Sequence, residues 1–256
     1  MEGIAFPKEY LDLSRRIELY ARVLWLKSKH VRGLKLQAAR LCGKSEFCPP
    51  RDEAEFETRR SRDLVRSARP LLARHPLYSL YLKHIPGIGE KLAIMLIGIV
   101  RPHIYANQSK MWADCGLAPP EYYRAKCGNE RCFNTKCKAV LMEAAHSVAR
   151  HSDTYRVYMQ RWFEEERPRC LEERGCGEGD ERCARAAEAW AFARARRKLA
   201  KLLASHLFTA ARMVVGLPAP KPYVQFAGIR ETVLEPFVVV RGREITLARY
   251  MEKQRG

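Results

Sequence analysis

Apolar residues recur at alternating intervals of four and three along the N-terminal part of the chain, and this pattern constrains the fold more than any other feature. The positions are Leu13, Ile17, Tyr20, Leu24, Val31, Leu34, Ala38 and Leu41. Lys27 stands where another apolar residue would fall. The spacing predicts one long amphipathic helix over Glu9–Leu41, with an apolar face that requires a partner.

A second helix is predicted over Arg51–His75, after Gly43 and the pair Pro49-Pro50 end the first. It is rich in Arg and carries apolar residues at Phe56, Leu64, Ala68 and Leu71. The two helices are expected to form an antiparallel, coiled-coil-like hairpin whose connecting loop is closed by Cys42 and Cys48. We interpret this long helical hairpin as a structural element, through which two copies of the chain would form a homodimer.

The rest of the chain predicts a mainly α fold. Helices are expected over Leu77–His84, Glu90–Val100, Ser109–Cys115, Asn134 to about Arg150, from Ser152 onwards, and Ala184–Val215. Two cysteine-bearing segments are predicted to be loops, Cys127–Cys137 and Arg167–Cys183.

The C-terminal segment differs in kind from the helical part. Phe237–Val240 and Glu244–Leu247 flank Arg241-Gly242-Arg243, a pattern typical of a small β-hairpin. We therefore predict a helical hairpin over residues 1–75, a helical domain over 76–218 and a C-terminal tail over 219–256. The role of the tail is not apparent from its sequence.

The charge of the chain favours a polyanionic partner. Lys and Arg total 47 against 29 Asp and Glu, which gives a formal net charge of +18. Such an excess of positive charge opposes compaction unless a negatively charged partner offsets it, and nucleic acid is the usual partner. Arg outnumbers Lys by about two to one, and the guanidinium fork suits contacts to phosphate. A generally basic protein without this role is the alternative interpretation.

One short motif specifies how such a partner would be held. Ile85-Pro86-Gly87-Ile88-Gly89 lies between two predicted helices, where the glycines permit a tight turn. The first amides of the second helix have no helical partner, so this turn is predicted to bind a phosphate at the exposed backbone of Gly87 and Gly89. Ile88 is expected to fill the gap between the helices, and Lys91 to lie beside the phosphate. A tight corner without a ligand is the alternative.

A row of cations on the long C-terminal helix is a second candidate for phosphate contacts. Its members are spaced i, i+3, i+4 and i+7, which places them on one helix face. They are Arg194, Arg197, Lys198 and Lys201. The alternative is a solvated basic face without a ligand.

The nine cysteines favour structural disulfides over a metal site. We expect such bonds in a cytosolic protein of an archaeal hyperthermophile, since intracellular disulfides are common in such organisms. Zinc at Cys127, Cys132 and Cys137, with Cys115 or His146 as the fourth ligand, is the alternative, although the spacing lacks the usual Cys-x2-Cys. No other cofactor is predicted.

No catalytic grouping stands out in the sequence. There is no acidic cluster typical of a two-metal nuclease and no phosphate-binding loop ending in Gly-Lys-Ser/Thr. If the protein were a recombinase subunit, its nucleophile would have to come from Ser109, Tyr122, Tyr123 or Cys127 near the turn. The chain also lacks a segment that could span a bilayer and a secretory signal, so a cytoplasmic, nucleoid-associated protein without a membrane partner is expected.

The motifs resemble a known family of insertion-sequence transposases. Leu82-x-x-Ile85-Pro-Gly-Ile-Gly89, followed by Trp112-Ala-x-Cys-Gly-Leu-Ala-Pro119, is similar to the second domain of transposases guided by a bridging RNA. In that class an acidic RNase H-like domain is paired with a helix-hairpin-helix domain that bears a catalytic serine. Cys127-Gly-Asn129 and Leu141–Ala145 resemble the next part of the domain. The long hairpin resembles its coiled-coil connector.

The C-terminal helix resembles shorter archaeal relatives of the same domain. The resemblance rests on Arg196–Leu207, Gly216-Leu-Pro and Pro222-Tyr223, and the whole extends over roughly residues 1–225. The family's serine follows the Gly-Leu-x-Pro motif, whereas Pro120–Cys127 contains none here. We therefore predict a non-catalytic DNA-binding protein of low sequence specificity, derived from or accessory to a transposase. The alternatives are a recombinase subunit with an acidic partner, and a structural RNA-binding protein.

Overall fold

The computed structural model describes residues 5–42, 48–128, 130, 132–177, 180–218 and 235–255. Gly43, Asn129 and Pro222-Tyr223, which entered the sequence predictions, lie outside these ranges. Among the described residues the fold is mainly α with one small β-hairpin near the C-terminus, as predicted. Along the same ranges, none of the helices combines the length and the apolar character required to cross a membrane.

The long helical hairpin is formed as predicted. Helix α1 runs over Lys8–Leu41 and helix α2 over Pro49–Arg74, and the Cys42–Cys48 disulfide joins their ends. Lys27, which interrupts the apolar stripe of α1, donates a hydrogen bond to Glu57 of α2 at a largely buried position. The interruption of the stripe is therefore an ion pair within the hairpin.

Short elements then build the turn region. They are α3 (Pro76–Leu80), a 3-10 turn (Leu82–His84), α4 (Glu90–Met95), a π-helical turn (Leu96–Val100), a second 3-10 turn (Pro102–Ile104) and α5 (Gln108–Asp114). Helix α1 crosses the π-helical turn at Gly98. A Cβ at Gly98 would lie 2.5 Å from the Cβ of Ala21, so the glycine allows this close approach.

Four more helices precede the C-terminal segment within the described ranges. They are α6 (Pro120–Cys127), α7 (Thr135–His151), α8 (Asp153–Arg174) and α9 (Glu181–Met213), and all except α6 contribute buried residues. Asn134 caps α7, because its side chain accepts hydrogen bonds from two amides of the first turn. Ser152 precedes α8 as predicted, but its hydroxyl makes no capping hydrogen bond.

The C-terminal segment folds back onto the turn region. Strands β1 (Phe237–Val240) and β2 (Arg243–Thr246) are antiparallel, and α10 (Leu247–Arg255) follows them. The hydroxyl of Tyr250 lies 3.1 Å from Nε2 of His84. Buried side chains from the long hairpin, α4, α7, α9 and this segment belong to one contiguous cluster. The proposed division at residues 75 and 218 remains a prediction.

Candidate nucleic-acid interface

Ile85–Gly89 forms a tight turn whose apolar side chains are buried and whose far end is exposed. The amide of Ile88 donates to the carbonyl of Ile85 at 3.0 Å. Ile85 and Ile88 keep 3% and 7% of their surface exposed. Ile88 therefore packs inward, whereas Gly89 and Lys91 at the start of α4 are exposed.

The two glycines of the turn have different roles. Gly87 has a φ of 92° and packs against α7, where a Cβ would meet the carbonyl oxygen of Ser147 at 2.7 Å. The hydroxyl of Ser147 in turn donates to the carbonyl of Gly87 at 2.7 Å. Gly87 is thus required for packing, which the sequence did not predict.

Gly89 is the open position of the turn. A Cβ there would have no heavy atom within 4 Å, and its backbone is extended with φ −79° and ψ 170°. It precedes the first residue of α4 without capping the helix through a side chain. The first amides of a helix lack helical partners, so this end of α4 carries partial positive charge toward solvent.

An open groove of about 500 Å³ joins the start of α4 to α2. It is lined by Thr58, Ser61, Arg62, Val65, Arg66, Arg69, Gly89, Glu90 and Lys91. Arg62, Arg66 and Arg69 are spaced i, i+4 and i+7, so one face of α2 presents all three. We call them the α2 row.

Within the described part of the chain, two of the three arginines of the α2 row are paired with carboxylates, and the third is not. Arg62 has no hydrogen-bond or ion-pair partner among the described residues. Arg66 approaches Asp63 at 3.4 Å, where both side chains are mostly exposed. Arg69 donates to both carboxylate oxygens of Glu90, at 2.7 and 3.0 Å. The exposed Arg66 pair contributes little to stability, whereas the two-pronged Arg69 pair is stronger. Arg62 and Arg66 are therefore the guanidinium groups that can take a new partner at low cost.

A second groove of about 570 Å³ continues from the first toward the end of the long hairpin. It shares Thr58 and Arg62 with the first, and its other lining residues are Lys35, Ala38, Ala39, Arg51, Ala54, Glu55 and Arg59. The lining of this groove combines three alanines with four basic residues. Sequence reasoning treated α2 as structural and missed this surface, although the Arg spacing was visible.

The predicted cations of α9, which we call the α9 row, are all in contact with the protein. Arg194 donates to Glu173 at 2.9 and 2.6 Å. Lys198 lies 2.7 Å from a carboxylate oxygen of Glu166, which is 6% exposed. Arg197 donates to the carbonyl of Ala118, and the ammonium of Lys201 lies 4.3 Å from the ring centre of Trp112.

Glu166 lies among the cations of this region, within 4 Å of Arg169, Arg194 and Lys198. Burial alone would raise its pKa, but the hydrogen bond and charge of Lys198, together with Arg194 and Arg169, hold the pKa below its ordinary value. The carboxylate therefore stays ionised between α8 and α9. Two of the four cations of the α9 row, Arg194 and Lys198, therefore form ion pairs that join α9 to α8.

The cysteines form disulfides, as predicted. The bonds are Cys42–Cys48, Cys115–Cys137, Cys127–Cys132 and Cys176–Cys183, and Cys170 is buried with a free thiol. The three candidate zinc ligands, Cys127, Cys132 and Cys137, are thus all disulfide-bonded. Zinc at these positions remains a prediction that would require two bonds to be reduced first.

Among the described residues, none of the predicted nucleophiles, Ser109, Tyr122, Tyr123 and Cys127, is hydrogen-bonded to a carboxylate or an imidazole. Tyr105 is one tyrosine that is so placed, since its hydroxyl donates to Asp114 at 2.6 Å. Within the described ranges, no three His, Cys, Asp or Glu residues lie close enough to hold a metal ion. The hydroxyl of Tyr123 is engaged with the amide of Ala118 and the carbonyl of Ala113. Cys127 is disulfide-bonded, and Tyr122 is exposed.

Comparison with known families places the turn within a transposase-related domain. Residues 79–160 match the family model described as Transposase IS116/IS110/IS902 family. The matched segment contains the Ile85–Gly89 turn, α4 to α7 and the beginning of α8. Neither the curated proteins nor the solved structures include a match to this chain.

Proposed function

We propose that this chain is a non-catalytic, transposase-derived protein that holds the phosphate backbone of duplex DNA. The proposal rests on one observation: the exposed start of α4, at Gly89 and Lys91, lines the same groove as the α2 row. The family match at residues 79–160 supports a role in nucleic-acid transactions. It does not by itself select DNA over RNA.

The two parts of the groove are suited to one ligand. Helix amides and guanidinium groups both bind phosphate oxygens, the first through partial charge and the second through a planar fork. Contacts of this type fix the position of a duplex without reading its sequence. We therefore propose low sequence specificity, and steep dependence of affinity on salt because each neutralised phosphate releases counterions.

A recombinase subunit completed by an acidic partner is the second candidate. It is favoured by the family match, although none of the four predicted nucleophiles is hydrogen-bonded to a base among the described residues. This alternative predicts that the chain, mixed with an acidic nuclease partner, cleaves a DNA strand. Substitution of Tyr122 would then abolish the cleavage.

The long hairpin is proposed to pair two copies of the chain. Leu19, Val23 and Leu26 are spaced i, i+4 and i+7 on α1 and are 64%, 42% and 63% exposed. This stripe is separate from the buried face of α1 that packs on α2. A homodimer would bring two α2 rows to one duplex and raise the overall affinity.

The test is duplex binding over a range of salt concentrations by wild type, Gly89→Asp and Gly177→Asp. Both glycines are exposed, and an added Cβ meets no atom within 4 Å at either position, so the two variants carry the same charge change. Four cations at the groove predict a slope of log affinity against log salt of about −3 to −4 for one chain.

Gly89→Asp is expected to lower affinity at least about tenfold, because it places a carboxylate at the phosphate position. Gly177→Asp lies in the loop between α8 and α9 and should change affinity less than about twofold. Equal losses in both variants would contradict the proposal. Unfolding curves establish that both variants are folded.

A further inference from the structure

Helix α6 presents an exposed aromatic ring among cations. Tyr122 is 43% exposed. Its ring lies at right angles to Tyr123, with ring centres 5.3 Å apart, and the ammonium of Lys126 lies 5.8 Å from its centre. We call Tyr122 with Lys126 and Lys136 the α6 platform. Lys136 is exposed at the start of α7, three residues after Phe133, and the Phe133 ring packs on Tyr123 of α6.

The platform rests on a rigid support. The hydroxyl of Tyr123 donates to the carbonyl of Ala113 at 2.8 Å and accepts from the amide of Ala118 at 3.1 Å. The other side of Tyr123 meets Phe133, with ring centres 5.2 Å apart. Disulfides tie both ends of this region, Cys127–Cys132 and Cys115–Cys137. Tyr123 and Phe133 thus serve packing, whereas Tyr122 keeps much of its ring exposed while it contacts Tyr123 and Lys126.

Charge around Tyr122 favours a polyanion. Arg124, Lys126 and Lys136 are exposed on α6 and α7, against the carboxylates of Glu121 and Glu130. Arg124 and Glu121 form an ion pair at 3.5 Å in which both side chains are 72% exposed, so it is readily exchanged. A flat ring beside several cations is the arrangement with which proteins hold single-stranded nucleic acid.

Helix α7 carries one member of the platform, Lys136, and further along it contacts the turn through Ser147. Lys136 and Ser147 are separated by about three turns of α7, which places them on nearly the same face and about 17 Å apart along the axis. Ser147 is the residue that contacts Gly87 of the turn. The unpaired strand of a duplex that ends near the turn would therefore have to span about 17 Å to reach Lys136.

We propose that the α6 platform stacks an unpaired base of single-stranded DNA beside the duplex that the turn and the α2 row hold. This inference rests on the proposed function, and it names the substrate class as a junction between duplex and single strand. Tyr122 supplies the stacking face, and Lys126 and Lys136 contact the phosphates of the unpaired strand.

The experiment compares a blunt duplex, the same duplex with an overhang of about six unpaired nucleotides, and the unpaired oligonucleotide alone. Wild type, Tyr122→Phe and Tyr122→Ala are measured by fluorescence anisotropy. A 2-aminopurine placed within the overhang reports stacking directly through quenching. The Phe variant keeps the ring and is the matched control for the Ala variant.

Wild type should bind the overhang duplex at least about fivefold more tightly than the blunt duplex, with quenching of the probe. Tyr122→Ala should lose about five- to hundredfold in affinity for the overhang, while Tyr122→Phe and all blunt-duplex affinities stay unchanged. No preference for the overhang, or equal binding by the Ala and Phe variants, would overturn the inference.

Failure of the proposed function has a different signature. If wild type binds no blunt duplex but the unpaired oligonucleotide still quenches and depends on Tyr122, the platform stands and the duplex proposal falls. If Gly89→Asp lowers the affinity for the blunt duplex while Tyr122→Ala leaves the affinity for the overhang duplex unchanged, the duplex proposal is supported and the proposed role of the platform is wrong.

Discussion

The α2 row and the α9 row have similar helical spacing and different electrostatic surroundings. On α2, Arg62, Arg66 and Arg69 are exposed along a groove that reaches the start of α4. Arg66 and Arg69 pair with Asp63 and Glu90, while Arg62 has no partner among the described residues. On α9, every cation of the row is engaged with a carboxylate, a carbonyl or an aromatic ring of the same chain. The spacing of cations along a helix therefore does not determine whether their charge is available to a ligand.

The difference arises from the neighbours of each helix. Helix α2 packs mainly against α1, which leaves its opposite face to solvent. Helix α9 contacts α5, α7 and α8, so its basic residues meet groups contributed by other helices. One of these helices, α8, carries Glu165, Glu166 and Glu173, whose carboxylates lie within 4 Å of the α9 cations.

Acidification should lower the free energy of unfolding through His75, at the end of α2, at a pH where the ion pairs of the α9 row are still intact. His75 follows α2, is fully buried, and has Nε2 2.9 Å from the hydroxyl of Ser14. Burial, with the nearby charge of His103, lowers the pKa of His75 to about 3. The unfolded chain takes up this proton near pH 6.5, so the contribution of His75 is complete above that pH and declines as the pH falls toward 3.

The expected loss from His75 at pH 5 is about 2 kcal/mol of unfolding free energy. Urea unfolding of wild type and His75→Gln at pH 7 and pH 5 measures it, because the variant lacks this titration. The lowered pKa of Glu166 keeps the α9 pairs ionised over the same interval. Parallel losses in the two proteins would show that His75 does not carry the dependence.

Glu90→Gln should sharpen the contrast by releasing one member of the α2 row. Glu90 holds Arg69 through two hydrogen bonds and brings negative charge to the proposed phosphate position. Its removal is expected to raise duplex affinity about two- to fivefold at a stability cost below about 1 kcal/mol. Glu181→Gln, at the exposed start of α9, carries the same charge change and should leave affinity unaltered. A loss of affinity in Glu90→Gln would contradict this role.

Helix positions were predictable wherever the apolar period was long. The predicted Glu9–Leu41 became Lys8–Leu41, and the predicted Arg51–His75 became Pro49–Arg74. The β-hairpin was predicted too, although β2 begins at Arg243 because Arg241 and Gly242 alone form the turn with positive φ.

Errors arose where tertiary packing overrides a local signal. The predicted loop Arg167–Cys183 is wrong at its start, because α8 continues through Pro168 to Arg174. Burial of Glu166 and Cys170 against α9 offsets the hydrogen bond that the proline cannot make. Helices α6 and α10 were not predicted, since each is short and lacks a long apolar period.

The candidate site was predictable at the turn and not beyond it. Local sequence identifies the turn, whereas the packing of Gly87 depends on Ser147, sixty residues away along the chain. The groove arises only when α2 lies beside α4. For the same reason the internal partners of the α9 row, among them Ala118 and Glu166, could not be inferred from helix spacing.

The most direct test of the account is the salt dependence of duplex binding by wild type, Arg62→Gln/Arg66→Gln and Arg197→Gln/Lys201→Gln. Each double variant removes two positive charges, and unfolding curves verify that both are folded. The account predicts that the α2 variant loses at least about tenfold in affinity and that its slope becomes shallower by about two, while the α9 variant keeps the wild-type slope. A shallower slope for the α9 variant with a wild-type slope for the α2 variant would contradict the account.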